Sequence, residues 1–128
     1  MIIDHIGPTV GNYNASKEFF RKALAPLSIE LVAEVQGWAG LGRIGKPELW
    51  FGAHSEIQKP MHIAFIADSR EQVRTFHAVA LAAGGTDNGL PGIHEIYHPH
   101  YYGAIDIGPN GHNIEAVCHS PPRGMRPE

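Results

Sequence analysis

Asp4-His5-Ile6-Gly7-Pro8-Thr9-Val10 is answered 57 positions further on by Met61-His62-Ile63-Ala64-Phe65-Ile66-Ala67, and the match does not stop at the histidine. The same offset lays Ile6 on Ile63, Phe19 on Phe76, Ala23 on Ala80 and Leu24 on Leu81. Similarity at a fixed offset marks one supersecondary unit used twice, each copy helping the other to bury an apolar face it cannot cover alone. Working outward from the two histidines, each half opens with a short apolar strand, residues 2–10 and 61–67, and then turns into a helix. The first helix should be capped near Asn14 or Ser16, with Phe19, Phe20, Ala23 and Leu24 spaced to share one buried face. The second should begin at Asp68 or Ser69, carry Glu71 in its first turn, bury Val73, Phe76, Ala80 and Leu81, and stop at Gly84-Gly85, where a left-handed backbone suits glycine.

Three short extended segments follow each helix, broken by glycine and proline: 30–35, 39–44 and 48–52 in the first half, 93–97, 103–107 and 113–118 in the second. The expected fold is therefore α+β, with two βαβββ modules, 1–57 and 58–119, forming a curved mixed sheet around a central cavity. Together they make one domain over 1–119, which suits a chain of 128 residues that is 43% apolar. The stretch 120–128, with Pro121, Pro122, Gly124 and Pro127, has no periodicity and reads as a flexible tail.

Ten basic and thirteen acidic side chains give a formal charge of −3 without long runs of one sign, so nothing in the sequence offers a footprint for nucleic acid or an anionic membrane. A small-molecule substrate is the expected partner. The opening residues lack a signal-peptide pattern and no apolar run is long enough to span a bilayer, so the expected location is cytoplasmic. The single cysteine, Cys118, lies in an apolar strand and reads as a small buried hydrophobe.

Nine histidines are the unusual count. His5 and His62 sit inside apolar strands at equivalent places of the repeat, so the internal symmetry should bring them face to face. Glu115 is a carboxylate in the middle of the apolar strand 113–118. Buried there unpaired it would cost several kcal/mol, so it should be paired, protonated or bound to a metal. Two imidazoles and one carboxylate form a facial set that leaves coordination positions open, as catalytic sites require, whereas structural zinc sites are closed by four protein ligands.

The stretches Asp4-His5-Ile6-Gly7, Met61-His62-Ile63-Ala64-Phe65 and above all Pro109-Asn110-Gly111-His112-Asn113-Ile114-Glu115 resemble the vicinal-oxygen-chelate superfamily, which includes glyoxalase I, extradiol dioxygenases, fosfomycin-resistance enzymes and bleomycin-binding proteins. The likeness runs over nearly all of 1–119. It implies that the first and last strand of each module supply the ligands of one divalent ion (iron, zinc, nickel, manganese or cobalt), and His5, His62 and Glu115 stand at three of those four places. The fourth falls in Glu48-Leu49-Trp50-Phe51, whose centre is apolar. Glu48, at the strand's start, is the candidate there, and its absence from mid-strand favours the three-ligand pattern of the dioxygenases.

Such an ion would chelate two adjacent oxygens of a small substrate and stabilise an enolate or a catecholate, the chemistry of a lyase or isomerase in one case and of a dioxygenase in the other. The segment His94-Glu95-Ile96-Tyr97-His98-Pro99-His100-Tyr101-Tyr102 is dense in groups that move protons and stack on rings. From it Tyr102, followed by His98 and His100, is the expected acid or base, since Tyr102 directly precedes a strand. Trp50 and Phe51 are the expected pocket wall. A homodimer is expected from the resemblance and from exposed strand edges. The alternatives are a metal-free drug-binding protein resembling bleomycin-resistance proteins, and a regulatory subunit whose metal merely braces the two halves.

Overall fold

The computed structural model describes residues 4–53 and 59–122. Two modules follow one plan. Module one runs β1 (Thr9–Val10), α1 (Tyr13–Leu24), β2 (Glu30–Val35), β3 (Trp38–Arg43) and β4 (Lys46–Ala53), with a single 3-10 turn, Ala25–Leu27, after the helix. Module two runs β5 (His62–Ile66), α2 (Arg70–Ala82), β6 (Thr86–Ile93), β7 (Tyr102–Ile107) and β8 (Asn113–Cys118). In each, the last strand lies parallel beside the first, giving the orders β1-β4-β3-β2 and β5-β8-β7-β6. The fold is α+β with two βαβββ modules, as the repeat requires.

Local chemistry sets the element ends. The side chain of Asn12 accepts a hydrogen bond from the Ala15 N–H and caps α1, two residues before the nearer candidate, and Ser69 caps α2 by accepting from Gln72 N–H. Two strands are displaced from expectation. The first is short, with Ile6 bridging Leu49 ahead of Thr9–Val10, and residues 2 and 3 of the expected strand lie outside those described. Strand β6 starts seven residues earlier than residue 93, because Thr86 pairs directly with Ile107 once the helix has ended. Residues 94–101 consequently form a loop rather than a strand, held by hydrogen bonds from His94 N–H to Tyr101 carbonyl at 2.8 Å and from Tyr101 N–H to His98 carbonyl at 3.0 Å.

One core serves both modules. Phe19, Phe20, Ala23 and Leu24 of α1 and Val73, Phe76 and Ala80 of α2 lie in a single buried cluster with Val10, Leu41, Leu49, Phe51, Ile114 and Ala116 from the strands. Asn110, in the turn before β8, also ties the modules at the start of α1, its Oδ1 accepting from Gly11 N–H and its Nδ2 donating to Ser16 Oγ, each at 2.9 Å.

Cores are shared, but sheets are not. Among the described residues β1 pairs with β4 and β5 with β8, and these two strands stand at the ends of two separate sheets. Beside β5 runs an apolar groove of about 590 Å³ between that strand and Ile6, Leu41 and Leu49 of module one.

Candidate functional site

Strand parity decides what each sheet shows to its open face. In sheet two the register pairs Ala64 with Glu115 and Ile105 with Glu115, while Ile63, Ile114 and Ala104 turn toward the helices and are buried there. His62, Ala64, Gly103, Ile105 and Glu115 therefore share the open face. There the His62 Nε2 lies 2.7 Å from Glu115 Oε1, and the Tyr101 hydroxyl donates to Glu115 Oε2. Glu115 is 4% exposed, so these two partners are what offset the cost of burying its carboxylate. Burial, followed by the adjacent carboxylate, raises the Tyr101 pKa above its ordinary value and keeps the phenol a donor at neutral pH.

Gly103 makes room for this arrangement. A Cβ at that position would lie 2.8 Å from Glu115 Oε2 and 3.2 Å from the Tyr101 ring, so only glycine leaves the carboxylate its seat.

The ligand-type residues are split between the sheets. His5 lies beside sheet one, next to the Ile6 bridge, its side chain 58% exposed and its Nδ1 2.8 Å from Asp4 Oδ2. It lines a hollow of about 590 Å³ with Gly7, Val35, Gln36, Trp38 and Trp50. Among the described residues no three His, Cys, Asp or Glu side chains of one chain converge as a metal site. The structure thus unites His62 with Glu115 and leaves His5 beside the other sheet, one residue before the Ile6 bridge, since an intrachain meeting would need the two sheets to join.

Register also fixes the fourth place. Ile6 pairs with Leu49 as Ile63, its counterpart in the repeat, pairs with Ile114, so the residue equivalent to Glu115 is Trp50. Glu48 is not at that position. Its carboxylate lies 3.9 Å from Lys46 Nζ, which also holds Asp4 at 3.1 Å.

Of the remaining candidates, Tyr102 pairs with Cys118 and so faces the helix, where Arg70 and Arg74 cover its ring and Arg74 donates to its hydroxyl at 3.3 Å. Tyr101, one residue earlier, holds the place expected of Tyr102. The sequence carried the signal, because a hairpin centred on Asn110 sets odd residues of 101–107 on the face of Glu115. His98 and His100 reach Glu115 only through a chain of rings: His98 is 5.8 Å from both His100 and His119, and His119 packs edge-on to Tyr101 at 5.2 Å. Phe51 is fully buried against Phe20 and Tyr13 and belongs to the core, whereas Trp50 does face the hollow. Trp38, which sequence reasoning passed over, lies beside it.

No family model and no curated protein matches the chain, but solved structures do. A glyoxalase/bleomycin resistance protein from Albidiferax ferrireducens T118 is similar at 22% identity, with a TM-score of 0.83 over 92% of this chain and 99% of that one. A glyoxalase/bleomycin resistance protein/dioxygenase family enzyme from Burkholderia phytofirmans PsJN aligns at 20% identity and a TM-score of 0.72, covering 91% of this chain and 97% of that one. Oxidase ChaP-H2 aligns at 20% identity and a TM-score of 0.67 over 94% of each chain. The fold is the glyoxalase-like fold of these structures. No helix among the described residues is long and apolar enough to cross a membrane.

Proposed function

We propose that this protein is a metal-dependent enzyme in which His5, His62 and Glu115 hold one divalent ion, with His5 contributed by a second copy of the chain. The observation that carries the reading is the pair on sheet two: an imidazole nitrogen and a buried carboxylate oxygen 2.7 Å apart, on neighbouring strands, facing the open side. Nitrogen and oxygen donors of this kind suit iron, zinc, nickel, manganese or cobalt. The seat left by Gly103 and the hydrogen bond from Tyr101 keep Glu115 aimed there.

The second copy follows from the edges. Strands β1 and β5 end their sheets; His62 opens β5, and His5 stands at the equivalent place of the repeat, just before the Ile6 bridge that leads into β1. The end of a sheet is where a strand of another chain can be added, and a two-fold dimer that brings the end of sheet one in one copy against β5 of the next would set the two histidines side by side twice over. The groove beside β5 leaves that edge open to a partner strand.

When bound, the ion supplies Lewis-acid stabilisation of the enolate or catecholate form of a substrate with two adjacent oxygens. The chain's own residues orient and enclose. Tyr101 fixes the direction of Glu115, the ring cluster from His94 to His119 borders that side, and Trp38 and Trp50 floor the other. A metal-free ligand-binding role is the second reading, supported by those two half-buried indoles.

The test is metal content of the native dimer and of His5→Ala and Glu115→Ala, alone and mixed. Native protein should hold about one ion per chain and each variant almost none. A mixture should regain about a quarter of the native sites, since half the dimers are mixed and each has one intact site. Native protein that takes up no metal sinks the enzyme reading. Metal retained in the separate variants removes those residues as ligands, and a mixture that regains nothing removes the shared site.

A further inference from the structure

Two short stretches of module one, Trp38-Ala39-Gly40 and Trp50-Phe51-Gly52, have the same Trp-x-Gly pattern, and the antiparallel register of β3 and β4 sets each tryptophan opposite the other's glycine: Trp38 on Gly52, Gly40 on Trp50. The glycines are what let the indoles lie down. A Cβ on Gly52 would lie 2.7 and 2.8 Å from the two atoms of the central bond of the Trp38 indole. A Cβ on Gly40 would come within 2.9 Å of the Trp50 benzo ring. Each ring therefore rests on the strand opposite, with one side against backbone and the other toward the hollow that contains His5. Two large rings flattened on glycine are a costly surface to leave half-exposed in water, since each could bury far more area upright in a core.

We propose that this floor selects the substrate: a flat, conjugated molecule of one or two rings, with adjacent oxygens on one edge, stacks on Trp38 and Trp50 with those oxygens directed toward His5. The inference rests on the reading of His5 as part of the site and adds to it the choice between a planar aromatic substrate and an aliphatic one. Flat rings prefer offset stacking on an indole face, while a flexible aliphatic chain gains only area there. Trp50 also occupies the strand position equivalent to Glu115, so at this place module one presents a ring where module two presents a carboxylate. The hollow, about 590 Å³, is of the size that holds one small ligand.

The chain contains only these two tryptophans, so indole emission reports on this floor and nowhere else. The experiment titrates the metal-loaded native dimer with catechol and with a dihydroxynaphthalene whose hydroxyls are adjacent, then with hydroxyacetone, exciting at the red edge of the indole band. The aromatic diols should quench saturably and bind at least about tenfold more tightly than hydroxyacetone, and Trp50→Leu should erase most of that preference. Gly52→Ala, which keeps both rings but lifts Trp38 off its strand, should weaken the diols by several-fold while metal content stays native. Equal affinity for hydroxyacetone, or diol binding undiminished in both variants, overturns the proposal while the metal site stands. Tight diol quenching that is the same with and without metal keeps the floor and removes the metal from the reading.

Discussion

Asn110→Ala isolates a polar contact that joins the turn before β8 to the start of α1 in module one. Its side chain makes two bonds to module one, from Gly11 N–H and to Ser16 Oγ, both at 2.9 Å. The first is solvent-exposed and contributes about 0.5 kcal/mol. The second reaches the fully buried Ser16 and contributes about 1–1.5 kcal/mol, because its loss leaves a hydroxyl short of a partner. The substitution should therefore cost about 2 kcal/mol, which for a domain of this size lowers Tm by about 6–10 °C. Urea unfolding followed by far-ultraviolet circular dichroism measures the loss directly, and Asn110→Asp, which keeps the acceptor and gives up the donor, should cost more than half as much. In a double-mutant cycle with Ser16→Ala the coupling should be about 1 kcal/mol. A Tm within about 2 °C of native for Asn110→Ala, or a coupling near zero, would refute the assignment of this side chain as the tie between modules.

Four further outcomes follow from the geometry. Tyr101→Phe frees Glu115 Oε2 and should weaken metal binding by about 10–100-fold in a cobalt titration, with little change in Tm. Gly103→Ala places a methyl group 2.8 Å from that oxygen and should weaken metal binding similarly, whereas Tyr102→Phe, on the helix side, should leave it native. Phe51→Ala empties a fully buried ring site and should cost about 3–5 kcal/mol in chemical denaturation. Asp106 is fully buried, its Oδ2 2.9 Å from His77 Nδ1, and burial raises its pKa above 3.8 despite that partner. Because the unfolded chain gives up this proton first, native stability relative to Asp106→Asn should fall as pH rises from 3.8 through the folded pKa. A difference that grows over that range would contradict the assignment.

How much of this was legible in the sequence depends on what each feature answers to. The repeat of His5 on His62 and Phe19 on Phe76 exposes the two-module plan because apolar burial sets both copies alike. The alternation around Glu115 places it with His62, since a strand offers only two faces. What escaped were relations between strands. Tyr101 and Tyr102 differ only by parity against β8, and Trp38 matters only because β3 and β4 meet in a register that lays its ring on Gly52. The joining of the sheets was out of reach for another reason. A single chain's hydrophobic pattern is the same whether β1 pairs with its own β5 or with another copy's, and only the strand orders show that the two sheets stay separate among the described residues.

Strand β8 is an inner strand, wedged between β5 and β7, and that has a bearing on the order in which the molecule assembles. The hairpin of β7 and β8 closes over the short turn at Asn110, but the parallel contact of His62 with Asn113 must bridge the whole of α2, β6 and β7. Such a non-local pairing is slow to form, because chain entropy is surrendered before any contact compensates it. His62 and Glu115 should accordingly meet late in folding, and substitutions at their strand pairing should speed unfolding more than they slow folding. A molecule that has reached only its hairpins would carry every residue of the site and none of the geometry.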